Sequence, residues 1–290
     1  MVKVWITGAS GHVGRELTRM LNAMDYEIFP TDIDEVDVTD ADAVNQYMQI
    51  SRPDVVINCA AYHVPEDGSV DSDMAYKVNA LGARNLAYAC QAYSGKLIHL
   101  STDDVFGGNK QLDGRSEAFT EFDMPHPATV YGKSKLAGEE LVRSLCTRYV
   151  IIRSSWMYGI GRDYMNQVIK TYRSVETIMA PRNQIASPTS ATAVARAVAY
   201  FIDNEKYGTY HVSCNGSATR YEFALEILKN LGVDGFDEKV VPGVEAEGFG
   251  EEFTLLDNLM LRIDGIGNMK DWKEVLAEYI KEHPEVANGK

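Results

Sequence analysis

The chain predicts an α/β fold: a doubly wound parallel sheet with a smaller, discontinuous C-terminal lobe. Three observations carry this. Short β-branched runs alternate with longer helical patterns through the first half, as crossover connections between parallel strands require. A tight glycine cluster, Gly8, Gly11 and Gly14, sits between the first such run and the first helical pattern. Finally, the second run ends on an acid, Asp32.

In chain order, Val2 to Ile6, Glu27 to Thr31, Asp54 to Asn58, Lys96 to Leu100 and Tyr149 to Arg153 read as strands. Between them, His12 to Met24, Asp40 to Ile50, Val70 to Tyr93 and Ala128 to Leu145 read as helices. Thr39 and Asp42 have capping-box spacing and predict the start of the second helix. Past Ser154 the regularity loosens into helices near Tyr164 to Arg173, Thr189 to Ile202 and Thr219 to Leu231, with a short strand from Gly208 to Ser213. The expected division is residues 1–153 as the sheet domain, with 189–213 and 270–290 packing back on it, and 154–188 with 214–269 as the lobe. Gly232 to Gly250 reads as a glycine-rich acidic loop rather than a linker.

The chain has 290 residues, with 28 basic and 42 acidic side chains and a formal charge of −14. That balance argues against nucleic acid or an anionic membrane as partner, because both are bound through clustered Lys and Arg. No apolar stretch approaches membrane-spanning length, and the first strand begins at Val2 with no signal-like segment ahead of it. The expected location is the cytoplasm. Cys59, Cys90, Cys146 and Cys214 are widely spaced in apolar surroundings and read as buried free thiols. Cys59 and His63 lack two further ligands at metal-binding spacing, so loop packing is expected there and no metal.

Glycines that follow a strand and open a helix are the context of a dinucleotide-binding turn, and the fold expected is therefore of the Rossmann type. Gly8 makes the turn, Gly11 lets a pyrophosphate approach the backbone, and Gly14 permits close packing of helix and strand. Ser10, His12 and Val13 complete the loop, whose helix N-terminus offers free N–H groups to phosphate. Asp32 is placed to accept hydrogen bonds from the adenosine ribose, so the expected cofactor is NADH or NADPH with NADH favoured. Arg15, just past the last glycine, tempers that preference.

Tyr131 and Lys135 are four residues apart on one helix face. A phenol exchanges protons slowly at neutral pH unless a neighbouring ammonium stabilises its anion, so Lys135 gives Tyr131 its use as a proton donor. Thr102 follows an apolar strand at the carboxyl edge of the sheet, where its hydroxyl can hold a substrate oxygen. Ser101 points the other way if the chain is extended there.

Together the glycine pattern, Asn58-Cys-Ala-Ala, Ser101-Thr-Asp, Tyr131 with Lys135, and the run from Arg153 to Gly159 resemble the extended short-chain dehydrogenase/reductases. Within them the chain is similar to the dTDP-4-dehydrorhamnose reductases. Further matches at Asp37-Val-Thr-Asp, Asn79, Gln184 to Thr189, Gly208-Thr-Tyr-His-Val, Tyr221-Glu-Phe-Ala and Leu256-Asp-Asn extend the likeness over nearly the whole chain. The resemblance implies reduction of the 4-keto group of a nucleotide-linked deoxysugar by NAD(P)H. It implies Thr102, Tyr131 and Lys135 as catalytic residues, with Asn79 supporting the proton relay to Lys135. It also implies adenine contacts at Asp37 and Val38, backbone contacts to cofactor along Ala60 and Ala61, and substrate contacts at Asp103, Val105, Phe106, Trp156 and Gln184. Trp156 and Tyr158 either stack on a sugar or base, or seal the junction between lobes.

The departures from that family bear on the substrate. Gly250 and Glu251 stand where its members carry Arg-Pro, and Val64 to Gly68 has lost a lysine and gained acid. Asp104 replaces a tyrosine beside the strand end. Asp234 to Asp257 holds eight carboxylates against Lys239, which repels a nucleotide diphosphate unless Arg182, Arg220 or Arg262 compensates. Two alternatives therefore stay open: reduction of a less anionic carbonyl compound, and a non-catalytic cofactor-binding subunit like the β subunit of methionine adenosyltransferase. A homodimer through the flanking helices is expected from the fold alone.

Overall fold

Six parallel strands form the centre of the computed structural model, which describes residues 1–63, 69–107, 117–174, 177–243 and 253–288. They are β1 (Val2–Thr7), β2 (Tyr26–Thr31), β3 (Val55–Asn58), β4 (Lys96–Thr102), β5 (Tyr149–Ser154) and, from much later in the chain, β10 (Gly208–His211). The spatial order is β2-β1-β3-β4-β5-β10. From β1 the chain moves outward to β2 and then back across to β3, so a switch point opens beside the carboxyl end of β1.

Alternation along each strand explains the two covered faces. Val4, Ile6, Ile57, Ile98, Leu100, Val150 and Ile152 face one side, where they pack on α1 (His12–Asn22) and α7 (Ala191–Asp203) through Leu17, Leu21, Val194 and Val198. Trp5, Val56, Leu97 and Ile151 face the other, where α2 (Ala41–Ser51), α4 (Ala83–Tyr93) and α5 (Val130–Leu145) supply Val44, Met48, Leu86 and Val142.

Two local expectations change. The second helix is capped by Asp40, whose carboxylate accepts from the amides of Asp42 and Ala43, while the Thr39 amide donates to Asp37 in the preceding turn. The expected single helix from Val70 to Tyr93 is three pieces: α3 (Ser72–Tyr76), a π-helical turn over Lys77–Gly82, and α4. Close packing accompanies the widened turn. A Cβ on Gly138 of α5 would lie 2.3 Å from the Asn79 carbonyl oxygen, and one on Gly82 would lie 2.9 Å from Val38.

The lobe has its own core around Phe223, Ile227, Tyr158, Ile169 and Trp272. It is built from α6 (Tyr164–Ser174), α8 (Arg220–Asn230), the short α9 (Phe236–Lys239) and three two-stranded pairings. These join β6 (Met157–Tyr158) to β9 (Thr189–Ser190), β7 (Ile178–Ala180) to β12 (Val240–Pro242), and β8 (Ile185–Ala186) to β11 (Ala218–Thr219). α10 (Leu259–Ile263) places Leu261 in the sheet's cluster, although it falls in the stretch read as lobe. Conversely, α11 (Trp272–Glu282), followed by α12 (Pro284–Asn288), puts Trp272, Leu276 and Ile280 in the lobe's cluster, although it falls in the stretch read as packing on the sheet. Apolar spacing shows that a helix has a buried face, and does not say which of two cores receives it.

Gly138→Ala should lower stability by about 1–3 kcal/mol, because the added methyl meets a backbone oxygen that cannot rotate away. Urea unfolding checks it: an unchanged midpoint would refute the close contact between α5 and the π-turn.

Candidate active site

The carboxyl end of β1 runs into a turn that glycine alone can make. Gly8 has φ 63°, and a Cβ there would lie 2.6 Å from the Ala60 amide nitrogen at the end of β3. A Cβ on Gly14 would lie 2.3 Å from the Gly8 carbonyl oxygen, so α1 can begin directly against the turn. Gly11 caps α1 without a side-chain hydrogen bond, which leaves first-turn N–H groups available to an anion. These cradles suit a dinucleotide's pyrophosphate. Asp32 fixes the loop from β2: the Ser10 amide donates to its Oδ2 at 2.9 Å and the Ile33 amide to its Oδ1 at 3.1 Å. Partial burial pushes the Asp32 carboxyl up, but the Ser10 and Ile33 hydrogen bonds outweigh it and hold the group below its ordinary value.

A cavity of about 630 Å³ opens from this loop toward the lobe. Ser10, Gly11, His12, Val13 and Gly14 line one end, with Arg15. Thr102, Asp103, Tyr131, Lys135 and Ala61 line the middle, and Trp156, Gln184, Arg220 and Thr254 the lobe side. The elements read from sequence as cofactor loop, proton donor and substrate contacts thus meet in one space.

Thr102 ends β4, where its hydroxyl donates to Asp103 Oδ1 at 3.2 Å, and Tyr131 lies in the first turn of α5, whose cap is Thr129. Burial, followed by the carboxylates of Asp104 and Asp103, pushes the Tyr131 phenol up, against the pull of Thr102. Lys135 is 3% exposed and its Nζ donates to the Leu100 carbonyl at 2.5 Å. Burial brings its ammonium down to about 8, resisted by the charge of Glu139. The ring of His63 lies 5.2 Å from that of Tyr131. Cys59, read as a buried thiol, is half-buried at the cavity wall, where burial raises it to about 12.

Beneath this pair is a charge network that sequence reading missed. Glu139, one turn past Lys135, is fully buried and takes Nε and Nη2 of Arg153 at 2.9 and 2.7 Å. Arg143 donates to it at 2.6 Å and the Ser101 hydroxyl at 2.6 Å. Burial pushes Glu139 up, but the guanidinium of Arg153 leads a set of partners that hold it down at about 2. Ser101 therefore faces this network while Thr102 faces Tyr131, the alternation expected of an extended strand. A buried Glu four residues after Lys135 and a buried Arg closing β5 were visible only as types in the sequence.

Asp103 joins the two halves. Its Oδ2 accepts from Ser155 at 2.9 Å and from Thr254 of the lobe at 2.6 Å, and burial still raises it. Across the cavity, Trp156 holds φ 36°, a left-handed conformation uncommon for a side chain of this size, and presents its ring to the Arg220 guanidinium 3.6 Å away. Tyr164 flanks the same guanidinium at 4.6 Å. Burial lowers Arg220 to about 10, with the charges of Tyr164, Asp103, Asp104 and Asp163 opposing. Asp163 caps the start of α6 by accepting from Asn166, and lies 3.3 Å from His12 of the glycine loop. An Asp three residues before Asn166 at a helix start was the signal that could have found it.

Other sequence expectations fall away from the cavity. Val105 and Phe106, implied as substrate contacts, do not line the cavity: both are 0% exposed, and Phe106 stacks on Phe119 with centroids 4.5 Å apart. The 3-10 turn after Thr102 rolls their apolar side chains into a small cluster with Leu256. Tyr158 is likewise core, edge-on to Tyr279, so only Trp156 of that pair reaches the site. Asn79 is committed elsewhere: its Oδ1 accepts from the Tyr62 amide at 2.8 Å and its Nδ2 donates to Ser134 at 2.9 Å. Asp37 and Val38 lie in the turn after β2, where Val38 accepts from Asn85. The Ala60 amide donates to Asn58 beside Gly8. Val64 to Gly68 and the Gly250–Glu251 positions lie outside the described residues. Among the described residues no group of three His, Cys, Asp or Glu could hold a metal ion, and no helix is long and apolar enough to cross a membrane.

Comparisons with known proteins agree with the fold. The pattern of the RmlD substrate binding domain family matches residues 2–284. The spore coat polysaccharide biosynthesis protein SpsK of Bacillus subtilis is 32% identical, over 97% of this chain and 98% of its own. A dTDP-4-dehydrorhamnose reductase of Aggregatibacter actinomycetemcomitans is 32% identical over 84% of this chain and 81% of its own. Among solved structures, the dTDP-4-dehydrorhamnose reductase of Bacillus anthracis in complex with NADP superposes with a TM-score of 0.90, at 37% identity, covering 97% of this chain and 99% of its own. The Clostridium acetobutylicum reductase gives 0.90 at 36% identity, covering 98% and 100%.

Asp32→Ala should weaken NADH by about ten- to a hundredfold and NADPH by less, because both lose the charged hydrogen bond that fixes the loop at the Ser10 amide while NADPH also loses a repelling carboxylate. Fluorescence titration of both cofactors checks this. Tighter NADPH binding in the variant would mean that Asp32 acts only against a 2′-phosphate.

Proposed function

The chain belongs to the RmlD substrate binding domain family, and on that premise we propose that it reduces the 4-keto group of a nucleotide-linked deoxysugar of the dTDP-4-dehydrorhamnose type. The observation carrying this is the meeting of the glycine loop with Thr102, Tyr131 and Lys135 in one cavity. A non-catalytic cofactor-binding subunit would have no need of that proton-transfer set.

A reduced nicotinamide supplies the hydride when bound, NADH being favoured by the carboxylate of Asp32. The protein's task is to hold the carbonyl and give its oxygen a proton. Thr102 donates a hydrogen bond to that oxygen and polarises it. Tyr131, kept protonated by burial and by the carboxylates of Asp104 and Asp103, is a poor acid toward water but a good donor to an alkoxide. Its proton therefore moves as the oxygen gains charge. Lys135 as the ammonium stabilises the phenolate left behind. Asn79 serves as a positioning residue, tying Tyr62 to Ser134 beside Lys135 and so supporting the relay that restores the proton. Asp103 and Gln184 face the sugar from opposite halves of the cavity. A cytoplasmic enzyme, paired as a homodimer through its flanking helices, completes the reading.

Incubation with NADH or NADPH and dTDP-4-dehydrorhamnose should oxidise the cofactor; no oxidation at high enzyme concentration would sink the proposal. Tyr131→Phe should lower kcat by about a hundredfold or more with cofactor affinity unchanged. The active form of Lys135 is charged, so kcat/KM should fall as pH rises through about 8. Lys135→Arg stays charged at every accessible pH and should lower the rate while abolishing that alkaline limb; a limb that persists assigns it to another group.

A further inference from the structure

The acidic lobe poses a problem that the fold answers with one side chain. A nucleoside diphosphate needs cationic donors, and three arginines were candidates from sequence. Arg262 is engaged by both oxygens of Asp257 and is exposed. Arg182 is exposed and stacks on Tyr221 at 4.2 Å, outside the cavity. Arg220 lines the cavity on its lobe side, next to Gln184 and Thr254.

Its setting is that of a built site. The guanidinium lies between the faces of Trp156 and Tyr164, at 3.6 and 4.6 Å, so its plane is held without use of its N–H groups. Among the described residues its side chain makes no hydrogen bond or ion pair, although five donors are present on a half-buried group. Asp103, Asp104 and Asp163 lie near enough to favour its charge and take none of its donors. Trp156 adopts the left-handed backbone that brings its ring to this position. Arg162 also lines the cavity, but it follows Gly161, which packs on His12 of the glycine loop, at the cofactor end.

We infer that Arg220, clamped by Trp156 and Tyr164, binds the diphosphate of the nucleotide sugar and is the specificity-determining cation of the lobe. This deepens the reductase reading and rests on it. A flat guanidinium presented edge-on gives paired N–H donors to phosphate oxygens, which a lysine at the same place would offer only as a point charge.

The test uses dTDP as probe, with the cavity's cofactor end saturated by NADPH, and reads its affinity by calorimetry in wild type, Arg220→Met and Arg220→Lys. Wild type should bind dTDP, Arg220→Met should lose about ten- to a hundredfold, and Arg220→Lys should recover part of the loss. The KM for dTDP-4-dehydrorhamnose should rise in parallel while kcat and NADPH affinity hold. Unchanged dTDP affinity in Arg220→Met, an Arg220→Lys variant no better than Met, or no dTDP binding by wild type would each overturn the assignment. Wild type that binds dTDP through Arg220 and turns over no keto sugar would leave the assignment standing and remove the reductase reading instead.

Discussion

The site is organised around the Glu139 carboxylate. It is fully buried yet ionised, because Arg153, Arg143 and Ser101 surround it with donors. Those partners come from β5, α5 itself and β4, so one anion fixes a helix against two adjacent strands. Tyr131 and Lys135 ride on that helix, and Thr102 follows Ser101 on β4. Their mutual placement is inherited from the network. A buried pair of this kind adds little net stability compared with well-packed apolar groups, but removing one partner strands the other, at a cost of about 3–5 kcal/mol. Its acid sensitivity has a defined sign. The carboxyl's ordinary value is 4.5 and its folded value about 2, so the stabilisation is present above pH 4.5 and is lost as pH falls toward 2.

The same economy of position operates where the two halves meet. Asp103 opens the 3-10 turn after β4 and accepts from Thr254 of the lobe, while His12 of the glycine loop lies against Asp163 at the start of α6. Each contact pairs a residue at the carboxyl edge of the sheet with one from the late chain, and the cavity lies between them. The cavity wall is consequently polar and acidic in its middle. That acidity raises Tyr131 and so keeps its phenol protonated, and it also opposes an anionic substrate. Arg220 lies opposite those carboxylates, held by aromatic faces rather than by an ion pair.

Much of the fold was legible in residue patterns. The five N-terminal strands end within two residues of their expected positions, and β4 ran on to Thr102 because Ser101 and Thr102 pair with Arg153 and Ser154. The glycine turn was legible because a positive φ at Gly8 and the contact of Gly14 with the turn admit no side chain. Val105 and Phe106 turn away from the cavity for a definite reason: a 3-10 turn rotates side chains by a different angle from a strand, and both face inward. The Thr39 cap failed because Asp40, one residue on, offered a carboxylate to two amides.

What the sequence determined by itself was local and periodic: the strand alternation, the glycine turn, and a Tyr and Lys sharing a helix face. Those features follow from φ/ψ limits and from the periods 2 and 3.6, which need no distant partner. Tertiary structure decided which groups face each other across long separations. Examples are Glu139 with Arg153, Asp103 with Thr254, and Arg220 with Trp156. It also decided which core each late helix entered, sending Leu261 to the sheet and Trp272 to the lobe. Burial and charge pairing depend on packing between segments far apart in the chain, and no window of sequence contains both halves of such a contact.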